Sequence, residues 1–436
     1  MAQLTDDCFA FDGPLIETAE ALSRLKQAVG PIAPVETIAT ADALGRVLAE
    51  DVAAPAPVPP YDNSAVDGYA VYADDLSEAA ETVLPIGGRV AAGHPLGRPQ
   101  KRGEAVQIFT GAPMPDGPDG EPGPDTVMMV EDCRVEGERV ALAPGLKRGS
   151  NRRSAGEDVA EGAVVLRAGA RLTPPDVGML AACGRAEAKV YRPLTIALFS
   201  TGDEVVEPGR DLPPGALYDS NRFTIGAAVR ALGAEVLDLG VLPDRRDGIE
   251  AAMGEAAERA DAVLSTGGMS MGEEDHVRAG LERLGRLAFW RIAIKPGRPV
   301  GMGLLPDGRD GWTPVIGLPG NPVAALTTFI ALARPLLQIL QGERADEPRR
   351  HPVRLDFAYK KKPGRREYVR VRLADDPGGA AASAGDLPRA LKHGRGGAGM
   401  LSSLVGADGF VELAEDRTHV EAGETAAFLP FSEVLR

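Results

Sequence analysis

The sequence predicts a multidomain protein with a central α/β domain whose sheet is mainly parallel, a β-rich region before it, and a small β-barrel or sandwich after it. Three observations carry this prediction. The chain has 436 residues, which at roughly 150 residues per domain corresponds to two to four domains. Strand and helix patterns alternate from residue 193 to about 340, as expected for a parallel sheet. Short β-type runs separated by glycine and proline lie on both sides of that stretch.

The composition is that of an ordinary globular protein, with 44% hydrophobic and 25% charged residues. The formal net charge of −15 disfavours nonspecific binding to nucleic acid or anionic membranes, both of which depend on positive potential. The start of the chain lacks the pattern of a signal peptide, and no apolar run approaches the ~20 residues of a membrane span. We therefore expect a cytoplasmic protein that binds neither nucleic acid nor membrane.

The cysteines and histidines limit the chemistry. The three cysteines are far apart without a CxxC pair, so neither a zinc ribbon nor a disulfide framework is indicated. The five histidines are scattered and form no metal-ligand spacing. An active site in this chain is therefore expected to use carboxylates, lysine or arginine, and an oxygen-liganded metal.

The first half of the chain predicts two helices around a β-rich region. Apolar residues at three- and four-residue spacing predict a helix over residues 14–30. Residues 59–149 contain the strand-like runs GYAVY, EAVQIFTG and DTVMMVEDC. The loop APMPDGPDGEPGPD at 112–125 is so rich in Gly, Pro and Asp that we expect it not to pack and to be mobile. A second helix is expected near 174–183, opened by the prolines of LTPPD.

The central region predicts strands and helices in alternation. Its strand patterns are TIALFS (195–200), AEVLDLG (234–240), DAVLST (261–266), LAFWRIAI (287–294) and TPVIG (313–317). Its helices are expected at 221–233, 246–259, 274–285 and about 323–340, the first with a Ser/Asn cap and Gly233 at its end. After the linker RADEPRRHP, the runs VRLDFAY, YVRVRL, GFVEL and AAFLPF predict the C-terminal β domain.

Acidic and glycine-rich loops follow the strands of the central region. In open α/β sheets, ligands bind beyond the carboxyl ends of the strands. The residues at these ends are Asp203 and Glu204, then Asp244, then Gly267, Gly268, Ser270, Glu273, Glu274 and Asp275, and finally Pro319, Gly320, Asn321 and Pro322. Each loop alone could be an ordinary turn or a charged helix start. Ordinary turns have no reason to collect acids on one side of a sheet, so we expect a shared ligand site there.

The loop STGGMSMG predicts an oxyanion ligand. Its small residues would let backbone N–H groups approach an anion, helped by the helix dipole, although it has neither the GK[ST] ending nor a GxGxxG pattern. Carboxylates repel phosphate unless a cation such as Mg²⁺ stands between them. Lys295 and Arg298 of IAIKPGRP form either a solvated basic turn or an oxyanion clamp. The residues thus predict a Mg²⁺-assisted phosphate or oxyanion enzyme whose substrate they do not name.

Nine motifs in a fixed order carry a family resemblance. They are DNSAVDGYAV, IFTGAP, NRRSAGEDV, STGDEVVEPG, YDSN, STGGMSMGEEDH, IKPGRPVG, GLPGNP and GMLSSL. Together they resemble the MoeA family of molybdopterin molybdenumtransferases, to which the E domain of gephyrin is similar. The match extends over nearly the whole chain. The chain departs from the family at Arg291, where the family often has Lys. The loop LPDGRDGW (305–312) and the acidic loop 112–125 resemble local additions.

The resemblance implies four domains and a molybdenum-inserting reaction. The implied domains are 1–58 with 150–188, the inserted β-rich domain 59–149, the α/β domain 189–345, and the C-terminal β-barrel 346–436. A homodimer would take adenylated molybdopterin, hydrolyse its phosphoanhydride to AMP, and transfer molybdenum from molybdate to the dithiolene with the help of Mg²⁺. Transient contact with the molybdopterin adenylyltransferase is a further expectation.

The resemblance also assigns residues. The positions expected to be catalytic are Asp67, Thr110, Glu204, Asp244, Asp275, Pro319 and Pro322. Those expected to bind substrate or oxyanion are Gly267, Gly268, Ser270, Lys295, Arg298, Asn321, Arg370 and Ser403. Mg²⁺ would be held by Glu204, Asp244 and Asp275. In this family the inserted domain faces the partner subunit, so the resemblance implies that PPYDNSAVDGYAV contributes Asp67 to the partner's site, while Asp62 and Asn63 build the turn.

Three alternatives remain open at this point. A Mg²⁺-dependent nucleotide or sugar-phosphate hydrolase would use the same acids but would release its product without molybdate. A non-enzymatic scaffold is suggested by gephyrin, although the acids of the site are present and no partner domain is visible. Tungstate could replace molybdate, since the two ions have nearly the same shape and charge.

Overall fold

The structure, a computed structural model, describes residues 16–268, 276–297, 299–375 and 387–435. The N-terminal segment forms one helix, a 3₁₀ turn and three short strands. They are α1 (Thr18–Ala28), the turn Thr40–Asp42, β1 (Val35–Ala39), β2 (Val47–Leu48) and β3 (Val52–Ala53). Ala21 of α1 is buried in the largest hydrophobic cluster of the protein. The helix predicted over 14–30 is therefore confirmed within the described residues.

The next region is a six-stranded, mostly antiparallel sheet. The short strand β4 (Asn63–Ser64) precedes this sheet and lies outside it. The strands of the sheet are β5 (Gly68–Val71), β6 (Thr82–Val90), β7 (Ala105–Ile108), β8 (Thr126–Met129), β9 (Cys133–Glu136) and β10 (Arg139–Leu142), with 3₁₀ turns at Ala73–Asp75, Pro118–Gly120 and Val130–Asp132. The sheet order is β8-β5-β7-β6-β10-β9. Tyr69 and Val71 pack into one cluster and Ala70 into another, so the alternating strand buries both faces of the sheet.

The loop 112–125 packs against itself, so the expectation that its composition prevents packing is wrong. A Cβ atom at Gly117 would lie 2.4 Å from the Glu121 carbonyl oxygen, and one at Gly123 would lie 2.2 Å from the Pro115 oxygen. The Asp116 carbonyl accepts a hydrogen bond from the Gln100 amide at 2.8 Å. The glycines let the two arms of the loop approach each other where no side chain would fit.

The chain then returns to its N-terminal segment. The elements are β11 (Arg152–Arg153), β12 (Val164–Leu166), α2 (Pro174–Ala182) and β13 (Glu187–Tyr191). β13 pairs with both β1 and β2, β12 pairs with β3, and β11 pairs with β4. These pairings join segments on either side of the β-rich sheet, which makes that sheet an insertion. The helix α2 begins at a capping box in which Thr173 and Asp176 bond to each other's backbone.

The central region is an α/β domain with a mixed, mainly parallel sheet. Its elements are β14 (Thr195–Thr201), β15 (Val205–Val206), β16 (Leu217–Tyr218), α3 (Asn221–Ala231), β17 (Glu235–Leu242), α4 (Arg246–Arg259), β18 (Ala262–Thr266), α5 (His276–Leu284), β19 (Arg286–Arg291), β20 (Ile294–Lys295), β21 (Pro299–Pro306), β22 (Trp312–Leu318), α6 (Pro322–Thr328), a π-helical turn (Phe329–Ala333) and α7 (Arg334–Leu340). The sheet order is β17-β14-β18-β22-β21-β19. The first four strands are parallel and the last two pair antiparallel, which confirms the predicted fold class.

The four parallel strands end at the same edge, as predicted. Thr201 is opposite Leu242, and Thr266 is opposite both Ser200 and Leu318. The Ser/Asn cap expected for α3 differs in detail, since Ser220 makes no capping side-chain bond. The Asp219 carboxylate instead accepts the Arg222 amide hydrogen bond at 3.1 Å, because Asp219 is the acceptor placed one residue further from the helix.

The continuous helical stretch Pro322–Leu340 is the one described helix that is long and apolar enough to cross a membrane. Its apolar window is 83% buried inside the protein. Phe329, Leu336 and Leu340 belong to the largest hydrophobic cluster. The stretch therefore serves as a core helix of the α/β domain.

The C-terminal region is a small closed barrel. Its strands are β23 (His351–Leu355), β24 (Tyr359–Lys360), β25 (Arg366–Leu373), β26 (Arg389–Lys392), β27 (Gly409–Leu413), β28 (His419–Val420) and β29 (Thr425–Pro430), with 3₁₀ turns at Leu401–Ser403 and Phe431–Glu433. The order β25-β26-β23-β29-β27 closes through a pairing of β25 with β27, which decides between barrel and sandwich. β20 of the α/β region pairs with β25, with Lys295 opposite Glu367, so the two regions share one sheet.

Candidate active site

The acids of the first two strand-end loops lie next to each other. Glu204 follows β14, and its carbonyl accepts the Leu217 amide hydrogen bond at 2.8 Å, next to the parallel pairing of β15 with β16. Asp244 follows β17, and its amide donates to Asp203 Oδ1 at 3.1 Å. The parallel register thus brings the predicted acids Glu204 and Asp244 to one edge. Asp275, the third predicted acid, lies outside the described residues, as do Ser270 and Arg298.

The glycine-rich loop after β18 is packed tightly under the same edge. Gly267 and Gly268 have φ values of +87° and +67°. A Cβ atom at Gly267 would lie 2.9 Å from the Thr201 carbonyl oxygen, and one at Gly268 would lie 2.5 Å from Val277. The Gly267 amide donates to the Leu318 oxygen at 3.0 Å, so this amide is already used within the protein. Close packing therefore explains why both positions are glycine.

The LPGNP loop is fixed from two sides. Asn221 Nδ2 donates to the Gly320 oxygen at 2.7 Å. The Val323 amide donates to the Ala398 oxygen of the C-terminal region at 2.9 Å. Pro322 is the first residue of α6, where proline lacks only a donor that the helix does not need. The loop therefore has a defined position between the sheet edge and the barrel.

A cavity of about 500 Å³ lies between the α/β region and the barrel. It brings together the predicted site residues Lys295, Pro319, Asn321 and Arg370. Its remaining lining comes from β24 to β26, from the segment 396–398, and from Pro296, Gly297, Ala324 and His393. Residues from sequence positions as distant as Lys295 and Arg370 therefore meet in one space.

The charged lining of the cavity is mainly basic. Lys295, Arg370 and Lys392 face one acid, Glu367. Arg370 is only 8% exposed, and its Nη2 donates to the Arg395 oxygen at 3.1 Å. Its Nε is buried without a hydrogen-bond partner among the described residues. Burial lowers the pKa of Arg370 below its usual value, and an anion in the cavity would supply both the missing acceptor and the missing charge.

Glu367 organises one wall of this cavity. It is 1% exposed and accepts hydrogen bonds from Lys295 Nζ at 3.1 Å, from the Tyr359 hydroxyl at 2.9 Å, and from Arg365 Nε at 3.0 Å. Burial and the bond to Glu367 raise the pKa of Tyr359 to about 12. Tyr359 is therefore a protonated donor at neutral pH, and Glu367 keeps the Lys295 ammonium at the cavity wall.

Ser403 lies near the cavity but is not part of its lining. It is 1% exposed, and its hydroxyl donates to the Met400 oxygen at 2.6 Å. A Cβ atom at Gly394 would lie 2.6 Å from Ser403 Cβ. Ser403 therefore packs directly against the turn that carries His393, and its predicted role in binding molybdate stays a prediction.

Asp67 and Thr110 form a second, separate constellation in the inserted sheet. Asp67 Oδ1 accepts hydrogen bonds from both the Thr110 amide and the Thr110 hydroxyl, each at 2.8 Å. These bonds hold the pKa of Asp67 below its usual value. Asp67 is solvent-exposed, whereas Asp62 is bound to Arg152 and to the Ala155 amide. Asp62 is thus tied to its own surroundings, and the functional role expected for Asp67 stays a prediction.

The carboxylates at the strand edge fit Mg²⁺ in their chemistry. Within the described ranges, no group of three or more His, Cys, Asp or Glu side chains is placed to hold a metal ion. Mg²⁺ does not need such a cage, because it is bound through one or two carboxylates and keeps waters and phosphate oxygens. Glu204 and Asp244 provide that kind of oxygen donor.

Several residues of the cavity wall were not predicted from the sequence. Glu367, Tyr359 and Lys392 line it, and Asn221 holds the LPGNP loop. Asn221 belongs to the motif YDSN, so its motif was a usable signal. Glu367 had a weaker signal, an acid inside the otherwise apolar and basic strand EYVRVRL, and its partner Lys295 is 72 residues away.

The fold and the cavity define a class of protein, namely a multidomain α/β protein with a cavity of mainly basic charged lining between the carboxyl ends of its parallel strands and a β-barrel. Three regions of the chain match known families: the MoeA N-terminal region (domain I and II) at 16–184, a probable molybdopterin binding domain at 197–339, and the MoeA C-terminal region (domain IV) at 352–431. The chain belongs to the MoeA family, and it is a transferase of molybdenum cofactor biosynthesis.

Relatives and solved structures agree with this assignment. The molybdopterin molybdenumtransferase of Haemophilus influenzae is 39% identical over 90% of this chain and 93% of its own length. The molybdopterin molybdenumtransferase 2 of Mycobacterium tuberculosis is 33% identical over 93% of this chain and 96% of its own. A crystal structure of the molybdopterin biosynthesis MoeA protein from Pyrococcus horikoshii has a TM-score of 0.74 at 32% identity, covering 96% of this chain and 99% of that chain. The resemblance found in the nine motifs is thus confirmed.

Proposed function

We propose that this chain transfers molybdenum from molybdate to the dithiolene of adenylated molybdopterin and releases AMP, with Mg²⁺ as its metal. The observation that carries the proposal is the cavity lined by Lys295, Arg370 and Lys392. An oxyanion of the size and charge of molybdate would give Arg370 Nε the acceptor that it lacks among the described residues. The relatives named molybdopterin molybdenumtransferase support the choice of this oxyanion.

The nucleotide end of the substrate is assigned to the strand edge. Glu204 and Asp244, together with Asp275, would hold Mg²⁺ and orient the phosphates. When bound there, Mg²⁺ neutralises phosphate charge and polarises the phosphoanhydride that is cleaved by water. Lys295 lines the same cavity as Pro319 and Asn321 of the strand-end loop after β22, and would bind either the oxyanion or a phosphate oxygen.

The proposal includes a homodimer in which Asp67 and Thr110 complete the site of the partner subunit. Support comes from the accessible Asp67 carboxylate, which two bonds from Thr110 hold in a fixed orientation and in its ionised form. We further propose that the protein is cytoplasmic and takes its substrate from the molybdopterin adenylyltransferase by transient contact. A net charge of −15 is in keeping with a partner that is neither nucleic acid nor membrane.

The test measures AMP release from adenylated molybdopterin by purified protein with Mg²⁺, with and without molybdate. Wild type is compared with Asp275→Asn and with the matched control Glu258→Gln, an exposed acid on α4. Release that requires molybdate, is lost in Asp275→Asn and is retained in Glu258→Gln is the expected result. Release indifferent to molybdate would indicate a phosphoanhydride hydrolase instead. A folded dimer without any release would favour the scaffold.

A further inference from the structure

Arg222 is a buried arginine in the first turn of α3 that binds three carboxylates at once. Its Nε donates to Asp219 Oδ2 at 3.0 Å, its Nη1 to Asp238, and its Nη2 to Glu207. The Arg222 side chain is 4% exposed. The guanidinium is not part of the cavity lining, so these acids, and not a ligand, are its partners.

The three acids belong to the segments that carry the candidate metal ligands. Glu207 lies in the loop 204–219, and this loop is closed by the bonds from the Leu217 amide to the Glu204 oxygen and from the Asp219 amide to the Val206 oxygen. Asp238 lies in β17, the strand that leads to Asp244. Asp238 also accepts the Gly240 amide at 2.9 Å, where the pairing register of β17 shifts. One guanidinium therefore connects the segment of Glu204 with the strand of Asp244.

The chemistry of arginine suits this connection. A guanidinium is planar and offers five N–H donors in fixed directions, whereas a lysine ammonium is a flexible point charge. Three carboxylates around one cation leave two negative charges in excess, so the acids would repel each other if the cation were removed. Burial would lower the pKa of Arg222, but the bonds from Glu207, Asp238 and Asp219 raise it above its usual value. The group therefore stays charged at every pH at which the protein is folded.

We propose that Arg222 is a positioning residue that fixes Glu204 and Asp244 relative to each other at the strand edge, an inference that rests on the proposed function. The loop 204–219 is joined to the sheet edge by few elements, since among the described strands its two short parallel strands, β15 and β16, pair only with each other. The bond from Arg222 to Glu207 connects this loop to α3 and β17. Without that bond the loop would keep its own backbone bonds and lose its fixed place beside Asp244.

The test uses Glu207→Gln, which weakens one arm at a carboxylate that is 40% exposed, and Arg222→Lys, which keeps the charge and loses the planar fork. Arg230→Gln, an exposed arginine in the last turn of the same helix, is the matched control. The first readout is amide hydrogen exchange at Leu217 and Asp219, compared with Phe199 in the buried strand β14, and it needs no metal. The second readout is the Mg²⁺ concentration that gives half-maximal AMP release.

In both test variants we expect exchange at Leu217 and Asp219 to be roughly tenfold faster, with Phe199 unchanged. The half-saturating Mg²⁺ concentration should rise by about tenfold while kcat at saturating Mg²⁺ stays within about twofold, and Arg230→Gln should match wild type. Equal acceleration at Phe199 would show that Arg222 serves stability alone and would overturn the proposal. If folded Arg222→Lys needs the same Mg²⁺ concentration as wild type, Arg222 does not position the candidate metal ligands. That result would overturn this inference and leave the proposed function intact. A wild type that releases AMP without Mg²⁺ would overturn the proposed metal and this inference with it.

Discussion

Lys295 Nζ lies 3.1 Å from Glu367 Oε2, although the two residues are 72 positions apart and belong to the α/β region and the barrel, respectively. The contact is set by the backbone, because β20 and β25 pair in parallel with these two residues opposite each other. A buried carboxylate of the barrel thereby orients a cation that the α/β region presents to the cavity. The site thus depends on the junction between two structural units.

Replacing Glu367 by Gln should weaken this junction and the site together. The buried amide would keep part of the hydrogen bonding but remove the charge that balances Lys295 and Arg365, at a cost on the order of 2 kcal/mol. We expect a lower melting temperature and a higher molybdate requirement for AMP release. The control is Glu20→Gln, which breaks an exposed helical pair with Arg24 and should cost less than about 0.5 kcal/mol. Equal effects in both variants would remove Glu367 from the site.

Replacing Arg370 by Gln should raise the molybdate requirement without lowering kcat at saturating molybdate. The buried Nε of Arg370 has no acceptor among the described residues, so binding an oxyanion is the event that would satisfy it. A loss of one charge-assisted bond is worth about 1.5–3 kcal/mol, which corresponds to roughly ten- to a hundredfold in binding. Arg372→Gln on the same strand, where the exposed Arg372 pairs with Asp375, serves as control. An unchanged molybdate requirement in Arg370→Gln would exclude Arg370 from oxyanion binding.

Much of the α/β region could be predicted because its signals are local. The helix expected at 246–259 has those bounds in the structure, since a periodic apolar pattern and a following strand delimit it. The convergence of Glu204, Asp244, Gly267 and Pro319 followed from one topological rule about parallel strands. These predictions needed no knowledge of contacts between distant residues.

The contacts that shape the site could not be predicted in the same way. Glu367 reads as one polar position in a strand, and its importance depends on the pairing of β20 with β25, which no local pattern encodes. The loop 112–125 was misjudged because Gly and Pro favour both disorder and tight packing. Arg222 follows the quoted motif YDSN, yet its partners Glu207 and Asp238 come from separate segments.

Replacing Gly267 by Ala should destabilise the strand edge, whereas Gly254→Ala should not. Gly267 has φ +87°, and a Cβ atom there would meet the Thr201 oxygen at 2.9 Å, so we expect a cost of about 1–3 kcal/mol. Gly254 lies inside α4 with no atom within 4 Å of the added carbon, and alanine there should stabilise by roughly 0.5–1 kcal/mol. Hydrogen exchange of the β18 amides, measured in both variants and in wild type, checks whether the strand edge is destabilised in Gly267→Ala and not in Gly254→Ala. Equal protection in Gly267→Ala and wild type would contradict the requirement for glycine.

Replacing Thr110 by Val should raise the pKa of Asp67 towards its ordinary value. Two bonds from Thr110, one from the amide and one from the hydroxyl, hold this pKa down, and valine removes only the second. Because the folded-state pKa is depressed, the carboxylate is ionised down to a lower pH in wild type than in the variant. A titration followed by NMR of the Asp67 carboxyl carbon measures the shift. Thr110→Ser, which keeps the hydroxyl, should titrate like wild type, and an unchanged pKa in Thr110→Val would show that the amide bond suffices.

Mixing two inactive variants should restore activity if the site is shared between subunits. Asp67→Asn and Asp244→Asn each remove a residue from a different side of the proposed site. In a mixed dimer one site then carries both changes and the other carries neither, so random reassociation should recover about a quarter of wild-type AMP release. The control mixes Glu204→Asn with Asp244→Asn, two changes on the same side, which leaves no intact site and should recover nothing. Activity that stays absent in both mixtures, in spite of confirmed subunit exchange, would place Asp67 in the site of its own chain or outside the site altogether.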